Sequence, residues 1–144
     1  MTTPKELTPA EAKAQILQML VKNPFVSMAT FGTDDWPDVR AMVVAATDGV
    51  DALWFATCPD SSKVAQTRKN PKATIYGYDL ATMTEFRVFG SIELLDDAAS
   101  RRKVWSDEFL EHWPDGVDSP NMIVMRFSTA CGVYDRYGKE IGKF

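Results

Sequence analysis

The chain has 144 residues, 45% hydrophobic and 25% charged, which is enough to bury the core of one domain spanning residues 1–144. Its net charge of −4 argues against a nucleic-acid protein, whose binding face is usually basic. There is no apolar signal core at the start and no run of membrane length, so a cytoplasmic protein without a membrane partner is expected.

Taken in chain order, Thr8-Pro9-Ala10-Glu11 opens a helix with a capping Thr, a Pro suited to the first helical position and a Glu that completes a capping box. Ile16, Leu17, Leu20 and Val21 form its apolar face, and Asn23-Pro24 ends it. Phe25 to Phe31 reads as a strand, broken by Gly32-Thr33-Asp34-Asp35-Trp36-Pro37; Val39 to Ala46 reads as a second, followed by turn residues Thr47-Asp48-Gly49. A third strand, Ala52 to Thr57, leads through Cys58-Pro59 into a short helix that stops at Asn70-Pro71. Ala73 to Tyr78 and Met83 to Leu95 follow as strands. The longer one sets Phe86, Val88, Ile92 and Leu94 on one face, and Gly90 marks a bulge or bend. Asp96-Asp97-Ala98-Ala99 begins a helix that turns Val104, Trp105, Phe109 and Leu110 inward and ends near His112-Trp113-Pro114. A last strand runs from about Met122 to Tyr134. Six strands in hairpin order with short helices predict a mainly β fold, a small antiparallel barrel.

Chemistry concentrates where the third strand meets its helix. Ser61, Ser62 and Lys63 would place helix N–H groups, two hydroxyls and one ammonium at a single point, the pattern of an anion site. The alternative is that Asp60 or Ser61 only caps the helix and Lys63 faces water, because serine caps are common. Arg40 lies inside the apolar strand Val39-Arg40-Ala41-Met42-Val43-Val44. It needs either an edge position or a partner, since a buried unpaired guanidinium is costly. Hairpin pairing would carry Arg40 toward Phe55-Ala56-Thr57 and bring two cations and two hydroxyls onto one phosphate.

Arg40-Ala41-Met42-Val43, Leu53-Trp54-Phe55-Ala56-Thr57, Ser61-Ser62-Lys63 and Asn70-Pro71-Lys72-Ala73, with Val88-Phe89-Gly90-Ser91-Ile92-Glu93 and Trp113-Pro114-Asp115-Gly116, resemble the pyridoxamine 5'-phosphate oxidase-like, FMN-binding split-barrel superfamily, closest to its general stress protein branch. The resemblance implies a six-stranded antiparallel split β-barrel, a homodimer and FMN at the subunit interface. It implies that Lys63 and a serine, Ser61 or Ser62, hold the FMN phosphate with charge from Arg40. Main-chain groups of Ala41, Met42, Val43, Phe55, Ala56 and Thr57 would then face the isoalloxazine ring. It also offers Trp113 as a cover from the second subunit, beside a plain core or rim role. The C-terminal segment holds no Arg-x-His pair of the kind that grips substrate in true pyridoxamine-phosphate oxidases, so that reaction is not expected.

Other constellations are weaker. His112, the one histidine, excludes a histidine-rich metal site and reads as a surface residue at a helix end; Cys58 and Cys131 match no zinc or redox spacing. Asp34-Asp35 and Asp96-Asp97 read as turn and cap residues, so no metal is expected. The leading expectation is an FMN-dependent oxidoreductase with an unknown small-molecule substrate and no assigned catalytic residue. Beside it stand a non-catalytic flavin-binding or stress-related sensing module and, with less support, a cofactor-free interaction domain.

Overall fold

The computed structural model describes residues 4–144. The Thr8 hydroxyl accepts the Glu11 amide at 3.2 Å while the Glu11 carboxylate accepts the Thr8 amide at 3.1 Å, so helix α1 (Pro9–Lys22) starts with the expected box. Ala12, Ile16 and Leu20, four residues apart, make its buried stripe, and Leu17 packs beside them. Val21 was expected on that face but lies just past the narrow stripe and is 77% exposed.

Among the described residues, eight antiparallel strands form one sheet: β1 (Phe25–Phe31), β2 (Pro37–Val43), β3 (Ala46–Asp48), β4 (Ala52–Thr57), β5 (Lys72–Asp79), β6 (Thr84–Leu95), β7 (Ile123–Arg136) and β8 (Lys139–Lys143). Their order is β2-β1-β5-β6-β7-β4-β3, with β8 added on β7. All six expected strands are present. The second is shorter than expected, because the chain bends at Val44–Ala45 and resumes as β3, where only turn chemistry had been read.

That bend makes the barrel. β2 and β3 are consecutive in the chain yet sit at opposite ends of the strand order, so the sheet must curl until its two edges meet. On one side the Val44 amide donates to the Pro24 carbonyl at 2.9 Å; on the other the Ala45 amide donates to the Trp54 carbonyl at 2.8 Å. β2 pairs with β1 through Phe25↔Val43 and Met28↔Arg40, while β3 pairs with β4 through Ala46↔Trp54. The expected hairpin pairing of Arg40 with Phe55–Thr57 is therefore replaced by a split between β2 and β4. The fold is a mainly β split barrel with three short helices.

Inside it, Met28, Phe55, Ile75, Phe86, Val88, Ile92 and Phe127 are buried with the α1 stripe. Gly90 sits at a register shift, where Phe89 pairs with Cys131 but Gly90 with Thr129, leaving Ala130 as the extra residue on β7. A second core cluster of Trp54, Val104, Trp113, Met122 and Val124 lies beside β4. The helix expected after Asp96 comes in two pieces. α3 (Ala98–Val104) has Asp97 as its cap, Trp105 is extended, and a 3₁₀ turn covers Asp107–Glu111. The break turns Leu110 outward to 43% exposure, against expectation, while Phe109 still packs inward.

Candidate functional site in the split of the barrel

The unpaired seam between β2 and β4 opens as a groove of about 470 Å³, within the range of sites that take a small ligand. Ala41, Met42 and Val43 form one wall, Ala56, Thr57 and Cys58 the second, and Phe25, Phe109, His112 and Trp113 the rest. Five of the predicted ring-facing residues thus meet here although no ladder joins their strands. Phe55 is fully buried in the barrel core, so only its main chain is available near the groove.

At the Thr57 end stand the predicted anion-binding residues. Helix α2 (Ser62–Lys69) takes Ser61 as its N-cap, yet the Ser61 side chain makes no capping hydrogen bond. Its Oγ is buried with no partner among the described residues. A buried hydroxyl without a partner is costly, and a serine that capped the helix would have spent this oxygen on the backbone. Lys63 Nζ donates to Thr57 Oγ1 at 2.9 Å and makes no ion pair among the described residues. Burial first, and then the nearby Arg40 charge, push the Lys63 ammonium below the usual lysine range, with Cys58 acting in the opposite sense. Ser62 is exposed on the first turn.

Arg40 has the partners that its apolar strand requires. Its guanidinium donates to Thr30 Oγ1 at 2.7 Å and to Gln66 Oε1 at 3.0 Å, and pairs with Asp38 at 3.0 Å. Gln66 in turn donates to Asp38 Oδ2 at 2.9 Å. That bond, and Arg40 after it, hold the Asp38 carboxyl below its ordinary range. Arg40 therefore locks α2 onto β1 and β2 and adds positive potential beside Lys63 at the same time.

Trp113 is 6% exposed and is fixed within its own chain. Its indole N–H donates to the Asn121 carbonyl at 2.8 Å, and its ring meets Phe109 edge-on at 5.7 Å. The sequence gives no sign of Phe25, Thr30, Asp38, Gln66 and Phe109 as site residues; His112 is exposed at the end of the 3₁₀ turn, as expected, and also lines the groove. Only Cys58 among the remaining groove residues carried a local hint, its position beside the anion-binding turn.

A mainly β barrel split along one seam, with a helix N-terminus and a half-buried lysine at one end of the slit, defines the class of pyridoxamine 5'-phosphate oxidase-like split barrels. Residues 12–131 match the model of the pyridoxamine 5'-phosphate oxidase family, and the chain belongs to that family. It is 28% identical over 118 residues to general stress protein 26 of Bacillus subtilis (strain 168), covering 80% of this chain and 81% of that one. A crystal structure of a protein from Clostridium acetobutylicum related to general stress protein 26 superposes with a TM-score of 0.84 at 27% identity, over 92% of each chain. A pyridoxamine 5'-phosphate oxidase-related, FMN-binding protein from Nostoc punctiforme shares the fold, with a TM-score of 0.67 at 19% identity over 85% of this chain and 79% of that one. No helix among the described residues is long and apolar enough to cross a membrane.

Proposed function

We propose that this protein binds FMN in the β2–β4 groove and acts as a flavin-dependent oxidoreductase on a small molecule. The observation that carries the reading is the partnerless, buried Ser61 Oγ beside a Lys63 ammonium that burial destabilises. Both deficits are relieved by one anion, and a phosphate has the oxygens to accept from hydroxyl, ammonium and first-turn N–H groups together. The apolar walls beyond Thr57 suit a flat ring, with main-chain groups of Ala41–Val43 and Ala56–Thr57 supplying polar contacts. The FMN-binding relative from Nostoc punctiforme supports the choice of ligand. When bound, FMN supplies hydride and electron transfer, and the chain contributes binding, orientation and exclusion of water.

The sheet surface beside the groove favours a homodimer with the cofactor at the interface. The outward cross-strand pairs Phe25↔Val43, Ala29↔Val39 and Phe31↔Pro37 make one apolar face, on which Phe25 is 65% and Val39 is 62% exposed. A contiguous face of this kind marks an interaction surface. Phe25, Ala41 and Val43 belong both to it and to the groove wall, so a partner seated there would close the groove.

The direct test is the visible spectrum of purified protein after FMN addition, followed by anaerobic reduction with NADH or NADPH. Saturable uptake and bleaching are expected. A colourless protein that takes up no FMN would reject the reading; uptake without reduction by any donor would leave a flavin-binding module in place of an oxidoreductase.

A further inference from the structure

The charges around the groove are unevenly placed. Arg40, Ser61 and Lys63 stand behind Thr57, outside the groove wall, at the end suited to a phosphate. Of the ten wall residues, only Cys58 and His112 can ionise, and only His112 can carry a positive charge. The His112 amide donates to the Phe109 carbonyl at 3.0 Å, which sets its backbone at the close of the 3₁₀ turn. Its ring stands 5.9 Å from that of the anchored Trp113 at an interplanar angle of 60°. His112 is exposed, and its imidazole nitrogens make no hydrogen bond among the described residues, so they are open to water or to a ligand in the groove.

We infer that His112 is the charge-compensating group at the ring end of the groove and raises the reduction potential of a flavin bound there. The inference rests on the FMN reading above. An isoalloxazine ring that takes up two electrons and one proton gains a negative charge, and a cation beside it favours that state over the neutral oxidised one. Apolar walls and a partner over the open side would strengthen the effect by excluding water. Neither Lys63 nor Arg40 is placed for this role. Lys63 is drawn back to Thr57 Oγ1, and Arg40 is committed to Thr30, Asp38 and Gln66.

The test uses full-length protein loaded with FMN, titrated anaerobically with dithionite against a reference dye, for the native chain, His112→Gln and His112→Lys. Gln keeps the size and a donor but loses the charge, whereas Lys restores the charge. The preference for reduced over oxidised FMN should fall about tenfold in His112→Gln, a drop of about 30 mV in midpoint potential for a two-electron couple. It should return to the native value or above in His112→Lys. An unchanged potential in His112→Gln would overturn the inference while leaving FMN binding intact. Equal loss of affinity for both oxidation states would also overturn it, making His112 a packing residue. Failure of the native chain to take up FMN would overturn this inference and the parent reading together.

Discussion

Lys63 is the residue on which the proposed anion site turns, and two consequences follow from its position. A phosphate that it neutralises is bound by a charge-assisted hydrogen bond worth roughly 1.5–3 kcal/mol, or about one to two decades in affinity. Lys63→Ala should therefore weaken FMN binding by that factor and leave riboflavin binding nearly unchanged, as read by flavin fluorescence titration. Equal losses for the two ligands would place Lys63 away from the phosphate. The second consequence concerns pH. Burial holds the folded Lys63 below the usual lysine range, so between the folded and unfolded values the unfolded chain binds the extra proton and stability rises with pH. In flavin-free protein Lys63→Met should be more stable than the native chain at neutral pH. That advantage should shrink as pH climbs into the lysine range, read from urea midpoints at pH 7.5 and 10; a constant gap would contradict it.

The placement of Ser61 and Lys63 at the head of a helix was legible in the sequence, because a strand that stops at Cys58-Pro59 and restarts as a helix is a local event. The Arg40 network was only half legible. An arginine in an apolar strand demanded a partner, but which partner depended on the Met28↔Arg40 register and on how α2 packs against β1. Neither leaves a mark at Thr30 or Gln66 themselves. His112 gave no local signal at all, since its place in the groove follows from the break at Trp105 and the 3₁₀ turn after it.

At the scale of the element, the β6–β7 pair shows how one backbone detail supports the barrel. A Cβ on Gly90 would land on the Ser128 carbonyl oxygen, far inside van der Waals contact, and 2.8 Å from Phe127 Cζ. Backbone cannot yield as a side-chain tip can, so Gly90→Ala should destabilise by about 1–3 kcal/mol or more, measured as a lower urea midpoint. An unchanged midpoint would mean that the bulge at Ala130 absorbs the methyl group. Gly90 was readable as an interruption in the alternating pattern of β6. β3 and β8 were not, because β3 is three residues long beside strong turn residues and Lys139–Lys143 carries only one large apolar side chain, Ile141. The bend at Val44–Ala45 was hidden for a different reason. An unbroken apolar run gives no sign that its two halves join opposite edges of one sheet.

For the whole molecule, the apolar face of β1 and β2 and the groove it borders predict a dimer with two equivalent FMN sites. Light scattering on loaded protein tests this, and a monomer that keeps FMN would contradict it. The FMN-loaded protein should also fail to oxidise pyridoxamine 5'-phosphate at a useful rate. That substrate brings a second phosphate, whereas on the proposed reading Arg40, Ser61 and Lys63 are taken by the first. Arg126, on the final segment, is paired with Glu93, and Arg136 is exposed and stacked on Tyr137. Peroxide and pyridoxal phosphate production would measure it; robust turnover lost in Arg136→Ala would show a substrate site that these groups do not reveal. The order of the strands carries one more consequence, for synthesis of the chain. β4 is flanked by β3, a few residues earlier, and by β7, where Thr57 pairs with Ile123, and the Trp113 wall also comes late. A nascent polypeptide therefore has no finished pocket until β7 has left the ribosome. A cofactor bound in this groove would be captured only after translation of this domain is nearly over, so its supply would not guide the early stages of folding.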